Sequence, residues 1–217
     1  LSNKEIENLL DNAERLLPVT KGDVYLPLLE GKVLANMFFE NSTRTRMSFE
    51  TAMKRLGGSV LNFSTTGSSV SKGETLYDTM QMIDGYADVA VIRHPRQGAA
   101  QYSADAIEIP VLNAGDGAGN HPTQTLLDLF TIREAHGTLK GLNVVLVGDL
   151  RYGRTVHSLS HALVRFGATL TLVSPESLMM PREIVSDLKN HGAEVTETSD
   201  FSATIGDADV IYMTRIQ

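Results

Sequence analysis

The chain has 217 residues, 42 % of them hydrophobic and 21 % charged, with a formal net charge of −7 at neutral pH. That composition excludes a disordered chain, and the acidic balance argues against a nucleic-acid binder, whose contact face is normally basic. Cysteine is absent, so the chain holds neither a disulfide framework nor a thiolate metal site, a usage that suits a reducing compartment. No apolar run reaches the length of a membrane span, and Leu1-Ser2-Asn3-Lys4-Glu5 lacks a signal peptide's apolar core. A chain that starts with Leu and not Met is expected to begin inside its natural sequence.

In chain order, Ile6, Leu9, Leu10, Ala13, Leu16 and Leu17 recur at helical spacing and predict a helix over 3–16. After Gly31, an apolar run predicts a strand over 33–39. A helix over about 43–57 places Phe49, Ala52, Met53 and Leu56 on its buried stripe and stops at Gly57-Gly58. Residues 59–63 read as a strand, 65–72 as a polar, serine-rich loop and about 75–86 as a helix. A short strand at 89–92 ends in Arg93-His94-Pro95, and a helix over 97–106 and a strand over 110–113 follow. The turn Gly115-Asp116-Gly117-Ala118-Gly119-Asn120 opens into His121-Pro122-Thr123-Gln124 and a helix to about 135.

Beyond 137–141 the alternation starts afresh, with strands at 144–147, 169–173, 193–197 and 209–213. Helices over 154–166 and 181–191, and a short one near 202–206, separate them. Strands regularly divided by helices predict an α/β fold with parallel sheets and right-handed crossovers. The simplest layout is two doubly wound domains, 1–136 and 137–217.

Ligands of such sheets sit beyond the carboxyl ends of the strands. Four polar motifs fall at those ends, at 42–46, 93–95, 115–124 and 148–155, and together they predict one shared cleft. In Ser42-Thr43-Arg44-Thr45-Arg46 a strand runs directly into a helix start. First-turn N–H groups lack intrahelical partners, and the macrodipole makes that end positive. Two added guanidinium groups make the turn a site for a phosphate or carboxylate. The competing reading is a plain Ser or Thr cap beside solvated arginines; the shared strand-end position of Arg93 favours the anion.

His121 stands at a helix start, with Pro122 suited to the first helical turn. The glycines before it let backbone approach a ligand closely, which makes His121 a candidate hydrogen-bond donor to a carbonyl oxygen. No second ligand lies at a metal-binding spacing, so no metal is expected. The stretch Gly148-Asp149-Leu150-Arg151-Tyr152-Gly153-Arg154-Thr155 has the spacing of a phosphate-binding P-loop, but Arg154 replaces the lysine that would contact the phosphates. The dinucleotide fingerprint is missing as well. Arg154 at a helix start suits a carboxylate instead. The segment Ser68-Ser69-Val70-Ser71-Lys72-Gly73-Glu74 reads, on composition alone, as a flexible surface loop with Glu74 near a helix start.

Together these motifs resemble the catalytic chains of the aspartate carbamoyltransferase family. The matching stretches are Phe-Phe-Glu-x-Ser-Thr-Arg-Thr-Arg at 38–46, Ser-Ser-x-x-Lys-Gly-Glu-Thr at 68–75 and Arg-His-Pro at 93–95. Further matches are Asn-Ala-Gly-Asp-Gly-x-x-x-His-Pro-Thr-Gln at 113–124, Gly-Asp-Leu-x-Tyr-Gly-Arg-Thr-Val-His-Ser at 148–158 and Tyr-Met-Thr-Arg-Ile-Gln at 212–217. The resemblance implies transfer of the carbamoyl group of carbamoyl phosphate to L-aspartate, in pyrimidine synthesis, without a cofactor. It implies a carbamoyl phosphate domain over 1–136 and an aspartate domain from 137 that is incomplete at Gln217.

By motif, Ser42, Thr43, Arg44 and Thr45 would hold the phosphate, with Arg93 beside them. Arg93, His121 and Thr45 would contact the carbamoyl oxygen, Gln124 its amide end, and Arg154 a carboxylate of aspartate. Ser68 and Lys72 would reach into a neighbouring subunit's site, which requires a homotrimer. The resemblance also implies a cytoplasmic enzyme and leaves room for regulatory chains. Ornithine carbamoyltransferase shares the Ser-Thr-Arg-Thr-Arg turn, but Arg154 would gain nothing from a cationic ornithine side chain. An inactive or purely binding form of the same fold is the other alternative.

Overall fold

The computed structural model describes residues 1–65, 67–117 and 119–214. Two parallel four-stranded sheets form, each in a compact unit of its own: 11–120, and 1–10 together with 121–217. Of the motif at 212–217, the last three residues lie outside the described residues.

The first sheet has strand order β2-β1-β3-β4, built from β1 (Val33–Phe38), β2 (Ser59–Ser64), β3 (Val89–His94) and β4 (Val111–Asp116). The nearly unbroken apolar runs of β1 and β3 are buried on both faces, as central parallel strands require, whereas β2 is a largely exposed edge. Strand alternation divides the core: Ala35 and Met37 pack with Met80 and Ile83 of α4 (Leu76–Asp84) and Ala100 of α5 (Ala99–Ala106). Leu34 and Phe38 face the other way and meet Met53 of α3 (Arg44–Arg55). The helical stripe expected on α3 is narrower than its spacing implies: Met53 is buried, Phe49 and Leu56 only half so, and Ala52 is exposed. A helix packed on one sheet face near an edge strand buries a row rather than a broad stripe.

The second sheet has order β7-β6-β5-β8, from β5 (Asn143–Val147), β6 (Thr169–Val173), β7 (Val195–Thr198) and β8 (Val210–Met213). Its main core joins Val144 and Leu146 to Leu129 and Ile132 of α6 (Pro122–His136), Leu159 and Leu163 of α7 (Arg154–Arg165), and Leu188 of α8 (Arg182–Asn190). Ile6 and Leu10 of α1 (Asn3–Arg15) belong to this same core, while Leu9 is exposed. Val145, Val147 and Val173 form the opposite face with Phe201 and Ala208.

Three elements differ from the sequence expectation. Leu17–Lys21 forms a short helix, α2, with Pro18 in its first turn, where the apolar spacing suggested only the end of α1. Within the expected polar loop, Ser69–Lys72 winds into a 3-10 turn closed by Gly73. The segment near 202–206 is likewise a 3-10 turn, Ser202–Thr204. Short turns of this kind rest on local hydrogen bonds that leave no apolar period to read.

In each sheet the chain order reverses beside a central strand, between β1 and β3 in the first and between β5 and β8 in the second. Those switch points are where α/β sheets open a crevice beyond their carboxyl ends.

Candidate active site

At the first switch point Phe38 is the register partner of Arg93, and the Phe39 N–H donates to the Arg93 carbonyl at 2.8 Å. The chain then turns into α3. Thr43 occupies the N-cap position, yet its side chain makes no capping bond, so the plain-cap reading of this turn fails. By contrast, α4 starts on a working cap, in which Thr75 Oγ1 accepts from the Asp78 N–H at 3.2 Å. α5, α7 and α8 also begin without a side-chain cap, and α7 and α8 likewise open on an arginine; the pair Arg44 and Arg46 in one first turn is what sets this start apart. Arg44 is the first residue of α3 and exposed, and Ser42 and Thr45 are half-buried beside it.

Arg93 reaches the same end of the sheet. Its Nη2 donates to Glu40 Oε1 at 2.9 Å, and only 12 % of its side chain is exposed. Arg93 Nε is buried and has no hydrogen-bond partner among the described residues. A guanidinium has five N–H donors in a fixed fork, so Glu40 holds one prong while the rest of the group keeps donors for an anion. Glu40 was legible in the sequence as part of the motif, but its pairing across 53 positions was not.

The loops after β3 and β4 are fastened by a buried aspartate. Asp116, 6 % exposed, accepts from the Gly98 N–H through Oδ2 and from the Asn120 N–H through Oδ1, both at 2.9 Å. Gly117 crosses this junction with φ +55, where an added Cβ would stand 2.8 Å from the Gln97 nitrogen. Removing both acceptors should cost about 1–3 kcal/mol, the worth of two part-buried backbone hydrogen bonds to a charged acceptor. Asp116→Ala is therefore expected to lower the denaturation midpoint well beyond Asp116→Asn, which keeps one acceptor; equal midpoints would contradict the clamp. Beside it, burial and the neighbouring Arg96 charge push the His94 imidazole below its ordinary range. Its Nδ1 accepts from the Arg96 N–H at 3.0 Å.

Ser68 caps the 3-10 turn at 69–72 by position, and its Oγ donates to the Thr65 carbonyl at 2.9 Å. Lys72 ends that turn, exposed. Glu74 accepts the buried Thr79 hydroxyl at 2.7 Å, which ties the turn to α4. A segment that composition alone makes flexible is thus folded and anchored.

The remaining candidates lie in the unit of the second sheet. His121 is the N-cap residue of α6, 6 % exposed, with no side-chain cap. Its N–H donates to Ser158 Oγ at 3.2 Å, and Ser158 Oγ donates to the Arg154 carbonyl at 3.2 Å. His121 and the start of α7 are thereby linked through one hydroxyl. Gln124 Nε2 donates to Asp128 Oδ1 at 2.9 Å, and the Tyr212 hydroxyl donates to Asp128 Oδ2 at 3.2 Å. Burial pushes the Asp128 carboxyl up, and burial together with Asp128 pushes the Tyr212 phenol up. Asp128 was missed in the sequence, although Gln and Asp four apart on a helix are facing neighbours.

Arg154 opens α7 immediately after Gly153. Asp149 shapes the preceding loop: its Oδ1 accepts from the N–H groups of Arg151 at 3.1 Å and Tyr152 at 3.0 Å. The loop therefore curls on an aspartate, as an Asx turn.

Arg44 and Arg93 stand at strand ends in the unit of the first sheet, and His121, Gln124 and Arg154 lie in the unit of the second. Comparison with known proteins identifies the family. Residues 1–134 match the family description "Aspartate/ornithine carbamoyltransferase, carbamoyl-P binding domain", and residues 140–217 match "Aspartate/ornithine carbamoyltransferase, Asp/Orn binding domain". The chain belongs to the aspartate/ornithine carbamoyltransferase family.

Among relatives in this family, the aspartate carbamoyltransferase catalytic subunit of Methanothrix thermoacetophila is 56 % identical over the whole chain, which spans 71 % of that protein. The catalytic subunit of M. jannaschii aspartate transcarbamoylase superposes with a TM-score of 0.94 at 48 % identity; all of this chain and 72 % of that one are covered. Aspartate transcarbamoylase from Trypanosoma cruzi, solved with carbamoyl phosphate and aspartate, gives a TM-score of 0.95 at 42 % identity, with all of this chain and 74 % of that one covered. Among the described residues of this carbamoyltransferase-family chain, no helix is long and apolar enough to cross a membrane.

Proposed function

We propose that the chain transfers the carbamoyl group of carbamoyl phosphate to the amine of L-aspartate, giving N-carbamoyl-L-aspartate and phosphate for pyrimidine biosynthesis. The observation that carries this reading is the first switch point, where an uncapped helix start bearing Arg44 meets the Glu40-anchored Arg93. In the proposed division, residues 1–136 bind carbamoyl phosphate and residues from 137 bind aspartate.

The chemistry needs no covalent nucleophile. The aspartate amine attacks the carbamoyl carbon, negative charge grows on the carbonyl oxygen, and phosphate departs with the electron pair of the broken C–O bond and takes up the proton the amine gives away. Ser42, Thr43, Arg44 and Thr45 take the phosphate with the first-turn N–H groups of α3, stabilising its charge as it leaves. Arg93, His121 and Thr45 donate to the carbonyl oxygen, where each such donor typically contributes about 10²–10³ in rate. Gln124 receives the carbamoyl amide and Arg154 a carboxylate of aspartate. Alignment of two anions that would repel each other in water accounts for much of the remaining acceleration.

Ser68 and Lys72 complete the site of a neighbouring subunit, which makes the active assembly a homotrimer in the cytoplasm. The turn's anchorage through Glu74 and Thr79, with Lys72 exposed at its end, supports that role. Arg154 sets the second substrate. L-aspartate is expected to be carbamoylated and L-ornithine not, because only the former offers a second carboxylate. A product assay with each amino acid decides this, and turnover with ornithine alone would sink the reading.

A further inference from the structure

Gln124 lies in the first turn of α6 with its Nε2 on Asp128 Oδ1, one helical turn further along. A carboxylate can only accept hydrogen bonds, whereas an amide has a donor end and an acceptor end. Asp128 therefore decides which way round the Gln124 amide lies, nitrogen toward the carboxylate and Oε1 away from it. The second Asp128 oxygen is committed too, since it accepts from the Tyr212 hydroxyl on β8, 84 positions away. Tyr212 in turn is hydrogen-bonded to Thr155, next to Arg154 at the start of α7. The face of α6 that builds the core is Thr125, Leu129 and Ile132. Asp128 is not on it, and a half-buried carboxylate is costly to keep there unless its bonds are used.

We propose that Asp128 is the positioning residue of the carbamoyl subsite. It turns Gln124 so that Oε1 accepts from the NH2 group of carbamoyl phosphate, and Tyr212 holds Asp128 for that task. Reversed, the Gln124 amide would set its own N–H groups against the substrate's N–H groups and the bond would be lost. The inference rests on Gln124 meeting the carbamoyl amide, as proposed above. It adds the residues that give Gln124 its direction.

The test compares carbamoyl phosphate with acetyl phosphate, which keeps the phosphate and carbonyl but carries methyl in place of NH2. Dissociation constants for both are measured by calorimetry on the assembled protein. Asp128→Asn, which offers Gln124 a donor as readily as an acceptor, should weaken carbamoyl phosphate binding about ten-fold, the worth of one well-placed hydrogen bond. Acetyl phosphate binding should stay within about two-fold, because the lost bond is one it never made. Tyr212→Phe keeps the ring and removes the hydroxyl; it should give the same selectivity at about three-fold and carries the test if Asp128→Asn does not fold.

Equal weakening of both ligands, or of neither, overturns the proposal, since a purely structural Asp128 would not distinguish them. Gln124→Ala separates the two layers of the argument. If it is selective while Asp128→Asn is not, Gln124 keeps its role and the inference about Asp128 fails. If Gln124→Ala is itself unselective, the assignment of Gln124 falls and the inference falls with it.

Discussion

Arg44→Ala is expected to lower kcat by about two to three orders of magnitude, the usual cost of removing one donor aimed at developing charge. Arg44 is exposed at the first position of α3, where no side chain caps the helix. Its guanidinium adds to the positive helix end, and on the proposed reading both act on the phosphate as its charge grows in the transition state. Because the side chain supports no core contact, thermal stability should be nearly unchanged, which separates this loss from misfolding. Arg44→Lys should fall between, since an ammonium supplies charge but not a two-pronged bond.

The same variant tests whether sites are shared. Lys72→Ala should also be nearly inactive if, as proposed, Lys72 reaches into a neighbouring subunit's active site. Mixed in equal amounts and allowed to exchange subunits, the two inactive proteins should regain about a quarter of the wild-type activity, because about one composite site in four draws both intact residues. Steady-state assays before and after exchange, with exchange verified by a mass or charge tag, give the answer. No recovery would remove Lys72 from the neighbouring site and with it the argument for an obligatory trimer.

Gly148→Val is expected to destabilise the unit of the second sheet by about 3 kcal/mol or more, the range of severe backbone strain added to a steric clash. Gly148 follows β5 with φ +116, and a Cβ there would stand 2.5 Å from the Thr214 carbonyl oxygen. Thr214 cannot withdraw cheaply, because its N–H donates to the Val147 carbonyl at 2.8 Å in continuation of the β5–β8 ladder. The substitution therefore strains both strands that flank the second switch point and displaces the loop that leads to Arg154. Gly137 is the matched control: its φ is +73, but its added Cβ meets nothing within 4 Å. Gly137→Ala should cost only about 1 kcal/mol. Denaturant midpoints measure both, and equal shifts would show that close approach to Thr214 is irrelevant.

Much of the fold is legible in the sequence. The apolar runs of β1, β3 and β5 and the glycine breaks between segments placed the strands to within a few residues, since a strand buried on both faces must be apolar throughout. The polar motifs fell at carboxyl ends because that is where parallel sheets leave backbone groups and helix starts exposed. Arg44, Arg93, His121 and Arg154 were identifiable by residue type and position at those ends. Less legible were α2 and the 3-10 turn at Ser69–Lys72, whose stability comes from a few local bonds and not from a periodic apolar face.

The sequence by itself determined the α/β class, the order of strands and helices, and the residue types available for an anionic pair of substrates, because periodicity and motif spacing are local properties of the chain. Only the tertiary structure decided which side chains stand opposite each other. Arg93 finds Glu40 53 positions away, Asp128 finds Tyr212 84 positions away, and α1 joins the core of a sheet that begins more than a hundred residues later. Such pairings follow from sheet order and register. These are set by the summed burial of whole elements and leave no mark in the neighbourhood of any one residue.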